Sequence, residues 1–366
     1  MLQLVMDGDR MKKRYIINGD GLTVSQGLGV HRFAAEILKH LDDMLTGSFF
    51  EVWVVIPKNR KIPYRYHNIR VKKTGIQKEN TISKNLWQQL SFPAFVKRNH
   101  GIGIDLTLAI PVWGCKYIAI HDCIVEKYPE NFPSKRGRIM RRFYIWRVNR
   151  IRKKCDILTV SENSKKDVEE LYHIPAERIY VIGNGWDHMK NVQPKEDALE
   201  KLGLKDKSYF FSLGSKYRHK NHAWIMQAAK ANPRYTFVVS GSSFEPETES
   251  EKTQKNPDNL IFTGYLADAE FKTLMKHCKA FIQPSFYEGF GIPPLEALSC
   301  GAKVLVANTS CFPEIYGNSV CYLDPYNGNV NMDELLLQKT EAAESVLAKY
   351  TWENAAKRLH EVMVRG

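Results

Sequence analysis

SFYEGFGIPPLEALSCG, residues 285–301, places one acid, Glu288, just before Gly-Phe-Gly and a second, Glu296, just after Pro-Pro. The run before it, AFIQPS (280–285), reads as a short buried strand, and the glycines free the backbone for tight turns or close approach to a ligand. Pro293 and Pro294 suit the first turn of a helix, so the pattern predicts a helix over Leu295–Ser299 that stops at Gly301, with Glu296 in its first turn and Glu288 in a loop. A helix start carries free N–H donors and partial positive charge, which favours phosphate, whereas a carboxylate aimed at the same phosphate would repel it. The conflict vanishes if the amides face phosphate while the acids accept hydrogen bonds from sugar hydroxyls on either side. A sugar–diphosphate–sugar ligand, a nucleotide sugar, fits that arrangement. The bland alternative makes Glu296 a complement to the helix dipole and Glu288 a solvated loop acid.

Working outward, strand-like runs alternate with helical ones, which argues for a parallel α/β architecture. In the first half the expected strands are Arg14–Asn18, Glu51–Pro57, Asp105–Ala109, Lys116–His121, Asp156–Ser161 and Ile179–Ile182. In the second they are Tyr209–Gly214, Tyr235–Gly241, Asn259–Thr263, Ala280–Ser285, Lys303–Ala307 and Val320–Asp324. The polar stretch NGWDHMKNVQPKEDALEKLGLK between the two sets places a hinge near Gly185–Lys195. Two Rossmann-like domains facing each other across a cleft are expected, with ligand at the carboxyl ends of the strands. The length of 366 residues and the ordinary 43% hydrophobic content favour two domains over one.

No uncharged apolar run approaches the ~20 residues that span a bilayer. The N-terminus lacks a basic region followed by an apolar one, so no secretory signal is read, and Met11 is a candidate natural start. Seven cysteines without Cys-x-x-Cys spacing fit buried thiols in a reducing cytoplasm better than disulfides or zinc. Charge is uneven: residues 1–180 carry 32 Lys and Arg against 18 Asp and Glu, the remainder 21 against 22. The densest part, KRGRIMRRFYIWRVNRIRKK (135–154), holds ten basic residues and no acid, interleaved with Ile139, Met140, Phe143, Tyr144, Trp146 and Ile151. A membrane-surface contact is favoured there, through Arg141, Arg142, Arg147, Lys153 and Lys154, since anionic lipid attracts such a segment by ~1 kcal/mol per basic residue. A nucleic-acid contact ranks lower without a recognition module, and a helix merely solvated on one side is the plain alternative.

Three further segments carry chemistry. GDGLTVSQGLGVHRFA offers Gly19, Gly21, Gly27 and Gly29 ahead of a helix, a loop whose amides can approach a pyrophosphate, though Arg32 stands where a dinucleotide fingerprint needs its third glycine. IAIHDCIVEKYPENFP puts His121 and Asp122 at a strand's carboxyl end; the plain alternative is a capping Asp and an ordinary imidazole. FFSLGSKYRHKNH sets Ser215, Arg218, His219, Lys220 and Asn221 between a strand and a helix, cations suited to a leaving diphosphate, or else a solvated basic turn.

Taken together, GLGVHRFA (27–34), IHDCIVEKYPENFP (120–133), TVSENSKKD (159–167), VIGNGWDH (181–188), GSKYRHKN (214–221), EGFGIPPLE (288–296) and YTWENAAKRLHEVM (350–363) resemble the retaining GT-B glycosyltransferases of family four. That group includes bacterial polysaccharide mannosyl-, rhamnosyl- and galactosyltransferases. The resemblance covers nearly the whole chain, and the Glu-x7-Glu block is its most specific part. It implies an acceptor-binding domain over 1–185, a donor-binding domain over 186–350, and a final helix, 351–366, packing back on the first. It implies Glu288 on the donor's sugar hydroxyls, Glu296 on the ribose, and the amides of Gly289, Phe290 and Gly291 along sugar and diphosphate. Lys220, with Ser215 and Arg218 nearby, would neutralise the diphosphate, Gly29 would let the first domain's loop close on it, and His121 would sit beside the reacting sugar. Many members carry Arg where Ser215 stands, and Arg218 or His219 is expected to compensate.

The expected activity is metal-independent transfer of a hexose or deoxyhexose, with retention, from a nucleotide sugar to a glycan or lipid-linked glycan in cell-surface polysaccharide synthesis. The expected place is the cytoplasm, peripheral at the inner face of the membrane. GDP-mannose is favoured over UDP- or dTDP-sugars, no cofactor or nucleic-acid partner is expected, and Asp7-Gly-Asp9 is read as a chance match to a metal motif. The alternatives are a sugar-nucleotide epimerase or hydrolase of the same fold and a non-catalytic membrane- or polyanion-binding protein. A nicotinamide dehydrogenase ranks last because the glycine fingerprint is broken.

Overall fold

The computed structural model describes residues 12–23, 29–215, 217–241 and 256–366. Asp7, Asp9, Met11 and Gly27 lie outside them. Two parallel sheets organise the described chain. The first is built from β1 (Lys13–Asn18), β2 (Phe50–Pro57), β3 (Arg70–Thr74), β4 (Ile102–Asp105), β5 (Cys115–Ala119), β6 (Asp156–Thr159) and β7 (Ile179–Val181) in the order β3-β2-β1-β4-β5-β6-β7. The second is built from β8 (Tyr209–Leu213), β9 (Thr236–Ser240), β10 (Leu260–Phe262), β11 (Ala280–Gln283), β12 (Val304–Ala307) and β13 (Cys321–Leu323) in the order β10-β9-β8-β11-β12-β13. Each sheet therefore reverses its strand order beside its first strand, the doubly wound pattern whose switch point opens a ligand crevice. The central strands are buried on both faces, which is why YIIN, VLVA and AFIQ read as near-continuous apolar runs.

Contacts group the chain into two compact units, one formed by Met1–Ala119, Arg147–Leu158 and His360–Gly366, the other by Ile120–Trp146 and Thr159–Leu359. The grouping is thus not a single cut at residue 185. In the first unit, the Tyr15 hydroxyl donates to the Met363 carbonyl and Phe50 packs on His360, so the end of the last helix is tied to β1 and β2.

Among the helices are α1 (Gly29–Met44), α2 (Lys135–Ile151), α3 (Glu162–Tyr172), α4 (His222–Ala231), α5 (Ile292–Ser299) and α6 (Trp352–Arg365). Three expectations need correction. β3, RVKKT, was not anticipated, because an edge strand with alternately exposed charged residues has no apolar run to betray it. The strand expected over Asp105–Ala109 is instead Ile102–Asp105. After Asp105 the chain curls round its buried carboxylate, which accepts the Ile110 N–H at 2.9 Å and the Thr107 hydroxyl at 3.1 Å. Gly103 inside this strand is required by close approach, since a Cβ there would lie 2.1 Å from the Gly114 carbonyl oxygen. Finally, α5 begins at Ile292, behind Gly291 at φ +84°, with both prolines in its first turn, so Glu296 sits in the second turn rather than the first.

Candidate functional site: two buried glutamates and their partners

Glu288 leaves β11 by a short loop and is 7% exposed. Burial alone would raise the pKa of a carboxylate. Here Lys220 donates to both Glu288 oxygens at 2.7 and 2.9 Å, and although desolvation is the largest single influence, that ammonium together with His219 and Ser285 holds the acid below its ordinary value. Gln283 Nε2 adds a third donor at 2.6 Å, while Gln283 Oε1, also buried, has no partner among the described residues. An ammonium has three N–H donors, and two of those on Lys220 are directed at Glu288. The Glu288 backbone is pinned as well, its N–H donating to Ser310 Oγ at 3.2 Å while that hydroxyl donates to its carbonyl at 2.8 Å.

The following Gly-Phe-Gly is shaped by residues far away in sequence. Ser161 and Ser164, at the start of α3, donate to the Gly289 carbonyl at 2.6 and 3.1 Å, and Ser164 also donates to the His121 carbonyl at 2.9 Å. A Cβ on Gly289 would lie 2.4 Å from that same His121 oxygen and 3.0 Å from Asp122 Cβ. Only glycine admits this approach, and because the peptide is planar, the Phe290 N–H is directed away from the serines. His121, Asp122 and Gly289 are thus brought together. Tyr287 reinforces the junction: its hydroxyl donates to Asp167 at 2.6 Å and accepts the Cys123 N–H at 3.1 Å, with Lys127 on the other Asp167 oxygen and 4.7 Å above the Tyr287 ring. Asp122 is pushed up to about 6 by burial, with the Glu288 charge adding to the rise and the Ile124 N–H and Lys220 opposing it.

The basic turn resolves into distinct parts. Arg218–Lys220 form a single 3-10 turn ahead of α4, and Asn221, at φ +55°, donates through its amide to the Pro284 and Pro325 carbonyls. Arg218 is exposed, whereas His219 is 2% exposed and pulled down to about 4 by burial. His219 is therefore neutral near pH 7. Asn131 contacts His219 Nδ1 at 3.0 Å and accepts the Arg218 N–H at 3.2 Å. The Ser215 N–H donates to His222 Nε2 at 2.9 Å, and burial followed by the nearby Lys220 charge lowers His222 to about 3.

Glu296 is equally buried but held differently. His188 Nε2 lies 2.9 Å from its Oε1, and the Trp352 indole N–H donates to His188 Nδ1 at 2.9 Å. Neither His188 nor Trp352 was singled out from sequence, although both lie in segments that carried the resemblance.

Other expected site residues stand apart. Gly29 opens α1 and is exposed. On α2, Arg142 is exposed, as are Lys153 and Lys154 just beyond it, but Arg141 donates to the Val125 carbonyl at 2.7 Å and pairs with Glu126. Arg147 is buried, its guanidinium spent on the Ala109 carbonyl and on Asn85, so its assignment as a membrane contact is corrected: it ties α2 down. The exposed apolar residues of α2 are Ile139, Met140, Phe143 and Trp146, the last two stacked at 5.4 Å.

The matched family models are Glycosyltransferase Family 4 over residues 28–190 and Glycosyl transferases group 1 over residues 194–337. O-antigen chain mannosyltransferase B of Escherichia coli is 28% identical over 255 residues, 64% of this chain and 66% of that protein. The serotype-specific mannosyltransferase WbdA of Escherichia coli is 28% identical over 289 residues, 70% of this chain but 34% of that protein. O-antigen chain mannosyltransferase RfbU of Salmonella typhimurium is 25% identical over 255 residues, 67% of this chain and 68% of that protein. Among solved structures, sucrose-phosphate synthase from Thermosynechococcus elongatus superposes with a TM-score of 0.68 at 14% identity, covering 96% of this chain and 98% of that one. Anabaena HepE in complex with UDP and glucose gives 0.65 at 17%, covering 96% and 99%. The sheet topology and the ordered run of motifs agree with these likenesses, and the chain belongs to the group 1, family 4 glycosyltransferases, with the GT-B fold.

Proposed function

We propose that this chain is a retaining, metal-independent hexosyltransferase that uses a nucleotide diphosphate sugar, GDP-mannose before UDP- or dTDP-sugars, to extend a glycan or lipid-linked glycan of the cell surface. One observation carries the reading: the buried Glu288–Lys220 pair stands next to a glycine pressed against His121 and Asp122, so a carboxylate, an ammonium and a strand-end His-Asp converge. In this reading Glu288 accepts hydrogen bonds from the donor's sugar hydroxyls and Lys220 turns its remaining N–H to the diphosphate, with Arg218 and Ser215 beside it. The amides of Gly289, Phe290 and Gly291 follow the sugar and diphosphate, His121 stands by the reacting sugar, and Glu296 takes the ribose.

The bond from the anomeric carbon to the diphosphate oxygen breaks as the acceptor oxygen bonds to the same face of that carbon, and the departing phosphate oxygen takes the acceptor proton. No side chain acts as nucleophile. Lys220 then acts where charge develops, on the leaving oxygen. The 1–185 and 186–350 division into acceptor and donor domains follows the sheets, since β7, in the first, ends at Val181 and β8, in the second, starts at Tyr209, although contacts group residues 120–146 and 159–185 with the second unit.

Among the described residues no helix is long and apolar enough to cross a membrane. The exposed Ile139, Met140, Phe143 and Trp146 beside exposed Arg142, Lys153 and Lys154 support peripheral attachment to an anionic surface at the cytoplasmic face. A thermal-shift panel of GDP, UDP, dTDP and their sugars, with and without EDTA, tests donor class and metal together, and sedimentation with anionic vesicles in the same preparations tests attachment. A melting rise with one nucleotide diphosphate, unchanged by EDTA, is expected. No rise with any of them overturns the donor assignment, and vesicle binding unaltered in a Phe143→Ser, Trp146→Ser double variant overturns the α2 contact.

A further inference from the structure

We propose that Trp352 and His188 are positioning residues for the donor nucleoside: the start of the C-terminal helix holds the Glu296 carboxylate through a two-bond relay and so sets how strongly ribose is gripped. This rests on the reading of Glu296 as the ribose ligand.

The chemistry of the relay has one direction. An indole N–H only donates, so His188 Nδ1, 2.9 Å away, accepts, which leaves the imidazole hydrogen on Nε2, facing Glu296 Oε1 at 2.9 Å. The Glu296 and His188 side chains are 5% and 7% exposed, so the contact is shielded from water. Trp352 is itself fixed at its backbone. Its N–H donates to Asp187 Oδ1 at 2.7 Å, and Gly185 lies so near that a Cβ there would come within 2.1 Å of the Trp352 nitrogen. The turn 185–188 and the first turn of α6 are therefore one locked unit with the imidazole at its edge. Glu296, by contrast, reaches out from α5 on three rotatable bonds, and a side chain left to rotate would lose that freedom on binding ligand. The relay removes it beforehand, and preorganisation of this kind appears as affinity.

The test uses the full chain and calorimetric titration with GDP and UDP, each against its 2′-deoxy and 3′-deoxy counterparts, with donor KM and kcat measured in parallel. The ratio of ribo to deoxy affinity isolates the diol contact from general loss of active protein. Trp352→Phe keeps the ring and removes the N–H. It is expected to weaken nucleotide binding about tenfold, the upper scale of one net hydrogen bond, and to shrink that ratio. KM should rise with kcat little changed. His188→Gln keeps a donor near Nε2 and should retain the wild-type ratio; His188→Phe should lose it, and this pair carries the test should Trp352→Phe fail to fold. If Glu296→Gln collapses the ratio while Trp352→Phe and His188→Phe leave it intact, the relay is overturned and the ribose assignment stands. If Glu296→Gln itself leaves the ratio intact, the ribose assignment falls, and the relay with it.

Discussion

The turns that follow the first strand of each sheet invite comparison, because the two sheets order their strands alike yet furnish these turns differently. After β1 the chain places Asp20, 2% exposed, with its carboxylate accepting from two neutral amides, Gln77 at 2.6 Å and Gln88 at 2.7 Å; Lys84 stays 3.8 Å off. After β8 it places Lys220, whose ammonium closes directly on Glu288. An acid held by two amides keeps Lys84 as a more distant ion-pair partner at 3.8 Å. An ammonium held by one carboxylate keeps a donor in reserve. The shared topology supplies the position, and the side chains decide its charge.

The comparison can be broken most decisively at Glu288. Glu288→Gln removes the charge that fixes Lys220 and, in the proposed reaction, weakens the acceptor for sugar hydroxyls, and turnover should fall about hundred- to thousandfold in steady-state assays with the melting transition still cooperative. Near-wild-type transfer would place the chemistry elsewhere. A smaller effect is expected in the first unit. Asp20→Asn turns an amide donor towards a glutamine donor and should cost about 2 kcal/mol in denaturant unfolding while nucleotide affinity is unchanged. A donor-affinity loss larger than the stability loss would erase the contrast between the turns.

The gentlest test is acid. His219 and His222 stay neutral when folded down to about 4 and about 3, whereas the unfolded chain takes up protons near the ordinary imidazole value, so each costs stability as pH falls below that value. Asp122, raised to about 6, acts oppositely: the folded form gains its proton first, so this acid adds stability as pH falls from about 6 towards the ordinary aspartate value. Two histidines against one aspartate leave a net loss of about 1.4 kcal/mol per pH unit between roughly pH 6 and 4.5. His31, in the first unit, is also lowered by burial and by Lys84, and adds in the same direction. Urea melts across that window measure the slope. Asp122→Asn should steepen it by removing the offset, and an unchanged slope would show that Asp122 titrates normally.

Much of this architecture was legible because buried parallel strands write themselves as apolar runs. YFFSL, TFVVS and VLVA could hardly be anything else, and Pro-Pro ahead of a Leu-Ala run marked a helix start within a few residues. β3 escaped because its exposed faces leave a charged string, and β4 because Gly103 imitates a turn while meeting a neighbouring backbone. At the site, Glu288, Glu296 and Lys220 announced themselves as charges beside glycine and proline. His188 and Trp352 did not, since the indole and the imidazole are separated by 164 positions and an indole N–H has no sequence signature. Arg147 misled for the opposite reason: in a basic helix every arginine looks solvated, and only packing distinguishes the one that ties α2 to the Ala109 carbonyl.

The contact of Gly289 with the His121 carbonyl also governs how the family's parts can be exchanged. Residues 285–301 cannot be transplanted between relatives as an autonomous cassette, because their backbone is cast against residues 121–122 and against the hydroxyls of Ser161 and Ser164. A chimera that alters donor choice must carry all three segments from one parent, and recombination points are safest outside the interval from 120 to 301.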